Sequence, residues 1–134
     1  MPTTRSARKK ILTGLIVACA MIALLFAVTM YQIFSSVRGL CMAATAGHAG
    51  DSVEALIALV ESDSASFREK NQAIWALGQI GDDRALPLLK RLDTDEVQSK
   101  PYNADAYIVQ YSVEKAIHHI ESRFSLTRWM YRWL

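Results

Sequence analysis

Reactive side chains are scarce in this 134-residue chain, which has two cysteines and three histidines. Cys19 falls inside an apolar run and Cys41 beyond its end, so the two cannot meet and no disulfide framework exists. His118 and His119 are adjacent, about 100° apart on a helix, and do not form a chelating pair. Glu114, His118 and Glu121 do share a helix face, but it lies opposite the apolar one, where solvated charges are usual. No Cys-His cluster, phosphate-cradling glycine loop or nucleophile elbow is present. The expectation is a protein that is not an enzyme, with no catalytic residue, metal or cofactor. Acids are also missing from both ends: every Asp and Glu lies between Asp51 and Glu121. From Asp51 to Phe124, 13 acids face eight Lys and Arg. A segment acidic by about five charges argues against nucleic acid as a partner, which would need a basic face.

What the N-terminal third has instead is an apolar run. Ile11 to Phe34 contains no charged residue, and as a helix rising ~1.5 Å per residue it reaches roughly 36 Å. That length crosses a ~30 Å hydrocarbon core with some tilt, and Tyr31 and Gln32 suit its far interface. Arg5, Arg8, Lys9 and Lys10 precede the run, and only Arg38 follows it closely. The positive-inside bias then puts residues 1–10 in the cytoplasm and the rest outside, in the periplasm if the cell is bacterial. Two processing alternatives compete with a permanent anchor. Ile16-Val17-Ala18-Cys19 fits a lipoprotein cleavage pattern, although the chain stays apolar after the cysteine. Ala44-Thr45-Ala46 fits a signal-peptidase site, although it lies about twelve residues past a run longer than such signals use. Cys41 reads either as a small buried thiol or as a thiol open to an intermolecular bridge.

The remainder is patterned for helices. Residues 35–50 extend the anchor as a helix that frays into a hinge at Gly47 and Gly50. Asp51-x-x-Glu54 and Ser66-x-x-Glu69 are capping signals that start helices running to about Ser62 and Ile80. Gly81 ends the second of these, and Asp82 or Asp83 caps a third, Arg84 to about Leu92, with Pro87 in its first turn. A polar stretch from Asp93 to Asn103 reads as a loop. A fourth helix, about Ala104 to Phe124, places Val109, Val113, Ala116, Ile117, Ile120 and Phe124 on one face. Ala55-Leu56-Ile57-Ala58-Leu59 aligns with Ala85-Leu86-Pro87-Leu88-Leu89 at an offset of 30. Ala76-Leu77-x-x-Ile80 aligns with Ala116-Ile117-x-x-Ile120 at an offset of 40.

Ala76, Leu77, Gly78, Ile80, Gly81, Asp82, Arg84, Ala85, Leu86, Pro87 and Leu89 resemble the short HEAT-like repeats of phycobilisome lyases. The resemblance is strong from Ala73 to Leu92 and weak elsewhere; His118 and Ser122 stand where Gly78 and Asp82 would align. It implies a short α-solenoid of about two helical hairpins (51–124), which with the apolar run gives the expectation of an all-α fold led by a single transmembrane helix (11–34). In that pattern Gly78 and Gly81 belong to the turn. Two hairpins bury too little alone, so the juxtamembrane helix, the C-terminal tail, a second copy or a partner must cover an end.

A partner-binding ridge follows from helical phase and the offset of 40. On the second helix of the first hairpin, Arg68, Asn71, Trp75 and Gln79 turn away from the core stripe. On the second helix of the next, Tyr107, Tyr111, Lys115 and His119 do the same. Aromatics flanked by cations have the composition of binding hot spots; the competing reading packs Trp75 and Tyr111 against neighbouring helices or the bilayer surface. In the aromatic tail, residues 125–134, Trp129, Tyr131 and Trp133 suit either an interfacial helix on the membrane or a cap folded back on Ile117 and Phe124. The functional expectation is a membrane-anchored adaptor, scaffold or accessory subunit with a protein partner. A chromophore-lyase-like or chaperone-type factor and a structural homo-oligomer are the alternatives.

Overall fold

The computed structural model describes residues 3–93, 104–122 and 131, with side chains for residues 8–93, 108–122 and 131. Its elements are α1 (Thr3–Gly47), α2 (Ser52–Glu61), α3 (Phe67–Ile80), a 3-10 turn (Asp83–Ala85), α4 (Leu86–Leu92) and α5 (Ala104–Glu121). No strand occurs among the described residues. The chain divides into two compact units, Met1–Ser36 and Val37–Leu134.

In the first unit the apolar side chains from Ile11 to Val28 are exposed. This stretch of α1 is long and apolar enough to cross a membrane by length and composition. The hydroxyls of Thr13 within it and of Thr29 just beyond it are bonded within the helix. Thr13 donates to the Lys9 carbonyl at 3.0 Å and Thr29 to the Leu25 carbonyl at 2.8 Å, which leaves neither hydroxyl in search of water.

The second unit begins inside the last turns of α1, where Val37, Cys41 and Ala44 are buried at the i, i+4, i+7 spacing of one helix face. The expected helical extension runs to Gly47 and gives way to bends at residues 48–50; what the sequence reading did not include is the core face it contributes. Cys41 is 2% exposed, which agrees with the buried-thiol reading and leaves little access for an intermolecular bridge. Tyr131 from the tail is also buried, and its hydroxyl pKa is raised by burial and then by neighbouring Cys41. The last turns of α1 and Tyr131 therefore both supply buried surface to the second unit.

Capping fixes where the next helices begin. Asp51 accepts from the Val53 and Glu54 amides at 3.0 and 2.9 Å, while Glu54 accepts from the Asp51 amide at 3.2 Å. Ser66 and Glu69 form the same reciprocal box before α3. The first box satisfies three amides and the second two that a helix start would otherwise leave open, each contributing about 1 kcal/mol. At the far end of α3, Gly81 adopts φ 70° and its amide bonds the Leu77 carbonyl. A side chain would be strained in that left-handed conformation. The segment expected to open as one helix from Arg84 instead makes a single 3-10 turn capped by Asp82, with α4 following from Leu86 and Pro87 at its start. The described part of α5 ends at Glu121 rather than Phe124, which lies outside the described residues.

Helix α3 is the centre of the unit and packs against α2 on one side and α5 on another, while α4 packs on α5. Buried in the unit are Ala73, Ile74, Ala76, Leu77 and Ile80 of α3, Val53, Leu56 and Val60 of α2, Leu88 and Leu89 of α4, and Val113, Ala116 and Ile120 of α5. Ile57, Val109 and Ile117 are half-buried at its margins.

Gly78 is not a turn residue, contrary to the repeat pattern. It sits within α3, where an added Cβ would come 2.9 Å from the Ala116 Cα and 3.0 Å from its Cβ. The glycine lets two backbones approach more closely than any side chain permits.

Charge complementarity marks the same 30-residue offset that the sequence carries. Arg84 reaches Asp51 at 2.7 Å, Asp82 at 3.1 Å and Glu54 at 3.6 Å, and Arg91 reaches Glu61 at 2.6 Å. Glu54 and Arg84, like Glu61 and Arg91, are equivalent positions of successive repeats. Exposed pairs of this kind contribute little individually, but opposite charges at equivalent positions favour one register of α4 beside α2. Arg84 also joins two helix caps: the Glu54 amide first and Arg84 after it hold Asp51, and Arg84 chiefly holds Asp82, below the ordinary aspartate value of 3.8. Because the folded values are depressed, this stabilisation is complete above about pH 4 and is lost as pH falls through the folded values. Acid titration of the full chain followed by circular dichroism should show it; Asp51→Asn, which keeps a capping oxygen, should flatten the acid limb, and Asp51→Ala should in addition cost about 0.5–2 kcal/mol at neutral pH. An unchanged acid limb would contradict the clamp.

Candidate partner-binding groove

Two helical ridges frame the candidate site, one from α3 and one from α5. On α3, Trp75 and Gln79 are one turn apart; on α5, Tyr111, Lys115 and His119 follow at successive turns. These five, all expected in the ridge, line a groove of about 280 Å³. Of the other three expected ridge residues, Arg68 is exposed and Asn71 half-buried, and neither lines the groove. The side chain of Tyr107 lies outside the described residues.

The floor of the groove was not anticipated. Gly78, Ser112 and Ala116 complete its lining, and these small side chains make it a depression rather than a filled seam. The close approach at Gly78 thus does two things: it joins α3 to α5 and it leaves room above the junction. The signal was present as small residues between larger ones on both helices, but helical phase alone ranks them as core.

Exposed apolar surface gathers here. In the second unit the large hydrophobics exposed among the described residues are Met42, Trp75 (37%), Ile108 (44%) and Tyr111 (53%), and Ile108 lies one turn before Tyr111. Lys115 places its ammonium 5.3 Å from the Tyr111 ring centroid, a cation–π contact that holds both side chains at the rim. No Asp or Glu lines the groove.

The weak helix-face constellation resolves differently. Glu121 pairs with Lys90 at 2.8 Å, tying α5 to α4, while Glu114 and His118 are exposed. Among the described residues no group of three metal-ligating side chains comes together. Of the tail aromatics, Tyr131 is buried near Cys41, and Trp129 and Trp133 lie outside the described residues.

Residues 35–100 match the family model for HEAT repeats. The match supports a HEAT-like repeat protein, a class whose members generally mediate protein–protein interaction. It begins in the last turns of α1, within two residues of the first buried side chain of the second unit, Val37. The matched segment therefore includes the last turns of α1, which the sequence reading placed outside the repeat domain. No curated protein and no solved structure matches the chain.

Proposed function

We propose that the protein is a single-pass membrane adaptor or accessory subunit whose HEAT-like domain docks a protein partner in the groove between α3 and α5. The observation that carries this reading is the concentration of Trp75, Ile108 and Tyr111, exposed, around one cationic groove with no acid in its lining. Aromatic anchors beside a depression are where interface energy concentrates. The residues 11–34 hold the domain at the bilayer, with residues 1–10 cytoplasmic and the domain extracytoplasmic, and raise its effective concentration near a membrane-bound target. The apolar, internally satisfied helix supports the anchor.

Replacing Trp75 and Tyr111 together by Ala removes both anchors from solvent-accessible positions. Capture of the partner from gently solubilised native membranes should fall at least ~30-fold, equivalent to about 2 kcal/mol for a hot spot, at a temperature where circular dichroism shows the variant folded. Undiminished capture would remove the groove from the account, and release of the chain from membranes by alkaline washing would remove the anchor.

A further inference from the structure

We infer that the groove accepts a protein segment that inserts one bulky apolar side chain and sets a carboxylate within one helical turn of it, against Lys115. The inference rests on the docking reading above and adds the chemistry of the partner.

Size limits the occupant first. About 280 Å³ falls just below the ~300–1,000 Å³ of small-molecule sites, so the groove suits one large side chain with its flanking backbone. Trp75 and Tyr111 offer ring faces to such a side chain, and Ile108 extends the apolar rim by a turn.

Charge then selects the neighbour. Arg84, Lys90 and Arg91 are each engaged by carboxylates. Lys115 has no carboxylate partner among the described residues, and its ammonium is held at the groove by the Tyr111 ring. An occupant that covers the rings also strips water from this ammonium, which strengthens its attraction for a carboxylate and penalises a lysine or arginine in the same place. His119 adds an imidazole to the lining one turn along. Because residues 51–124 carry 13 acids against eight bases, a long acidic run is repelled by the domain as a whole. One carboxylate placed beside the apolar anchor avoids that repulsion.

The test is selection of random nine-residue peptides, displayed on phage, by the purified full chain in detergent. Enriched peptides should pair Trp, Phe or Leu with Asp or Glu no more than four positions away. Lys115→Glu should shift the enriched set to Lys or Arg, and Lys115→Gln should lower the affinity of a synthesised acidic winner about tenfold. Enrichment should vanish in the Trp75→Ala, Tyr111→Ala double variant, with circular dichroism confirming that each variant folds. Apolar peptides that need Trp75 and Tyr111 but show no charge bias, or ignore Lys115→Glu, would overturn this inference while the docking reading stands. Enrichment indifferent to Trp75 and Tyr111, or none at all, would overturn both.

Discussion

Gly78→Ala should destabilise the HEAT-like domain by about 1–3 kcal/mol, the usual cost of overpacking a close contact. In an isolated helix the same change would stabilise by up to ~1 kcal/mol, since alanine orders more cheaply than glycine. Packing wins because the nearest atom to the new Cβ is the Ala116 Cα at 2.9 Å, and a backbone atom moves only if α5 moves. For a domain of this size the melting temperature should drop by roughly 5–15 °C, read by circular dichroism on the full chain in detergent. Gly39→Ala is the control with the opposite sign: Gly39 is inside α1 with nothing within 4 Å of its added Cβ, so the propensity gain should appear alone. Because Gly78 and Ala116 also form the groove floor, Gly78→Ala should weaken partner capture even at temperatures where the domain remains folded. A variant as stable as the parent would show that α3 and α5 do not approach as described.

Leu77→Ala should be more damaging still. Leu77 is fully buried in α3, the helix that contacts both α2 and α5, so the cavity it leaves cannot be closed by one neighbour alone. Truncations of this kind cost about 2–5 kcal/mol. A small domain sits near the lower end of the ~5–15 kcal/mol range of folding stability, and most of that reserve would be lost. Leu86→Ala, at a half-buried position at the start of α4, should cost distinctly less. The comparison is made by urea or thermal unfolding of the two variants side by side; equal losses, or a Leu77→Ala loss under about 1 kcal/mol, would contradict the central place given to α3.

The helix starts were legible because capping is local. Asp51, Glu54, Ser66 and Glu69 make their bonds within three residues, so their spacing in the chain is their geometry in the fold. Gly81 was legible for the same reason. The groove was legible in large part because helical phase and the offset of 40 place Trp75 beside Lys115 and Gln79 beside His119 without knowledge of any contact. Three features were not. Gly78 matched a repeat motif, yet its function depends on Ala116, 38 positions away, which no local spacing reveals. The buried face of Val37, Cys41 and Ala44 is built from small residues that follow a longer and stronger apolar run, and the periodicity is obscured by it. Tyr131 is buried near Cys41, a placement not legible in the sequence because the tail's helical phase says which side chains share a face and not which surface receives them.

The central claim is that a partner protein occupies the groove while the chain sits in its membrane. Its most direct measurement is site-specific photocrosslinking in native membranes, with a photoreactive phenylalanine at position 111 and, as the reference, at Asp63 in the exposed loop between α2 and α3. The account predicts a discrete adduct with a different protein from position 111, absent from position 63 and suppressed by Trp75→Ala. No adduct, equal adducts from both positions, or an adduct with a second copy of the chain alone would contradict it.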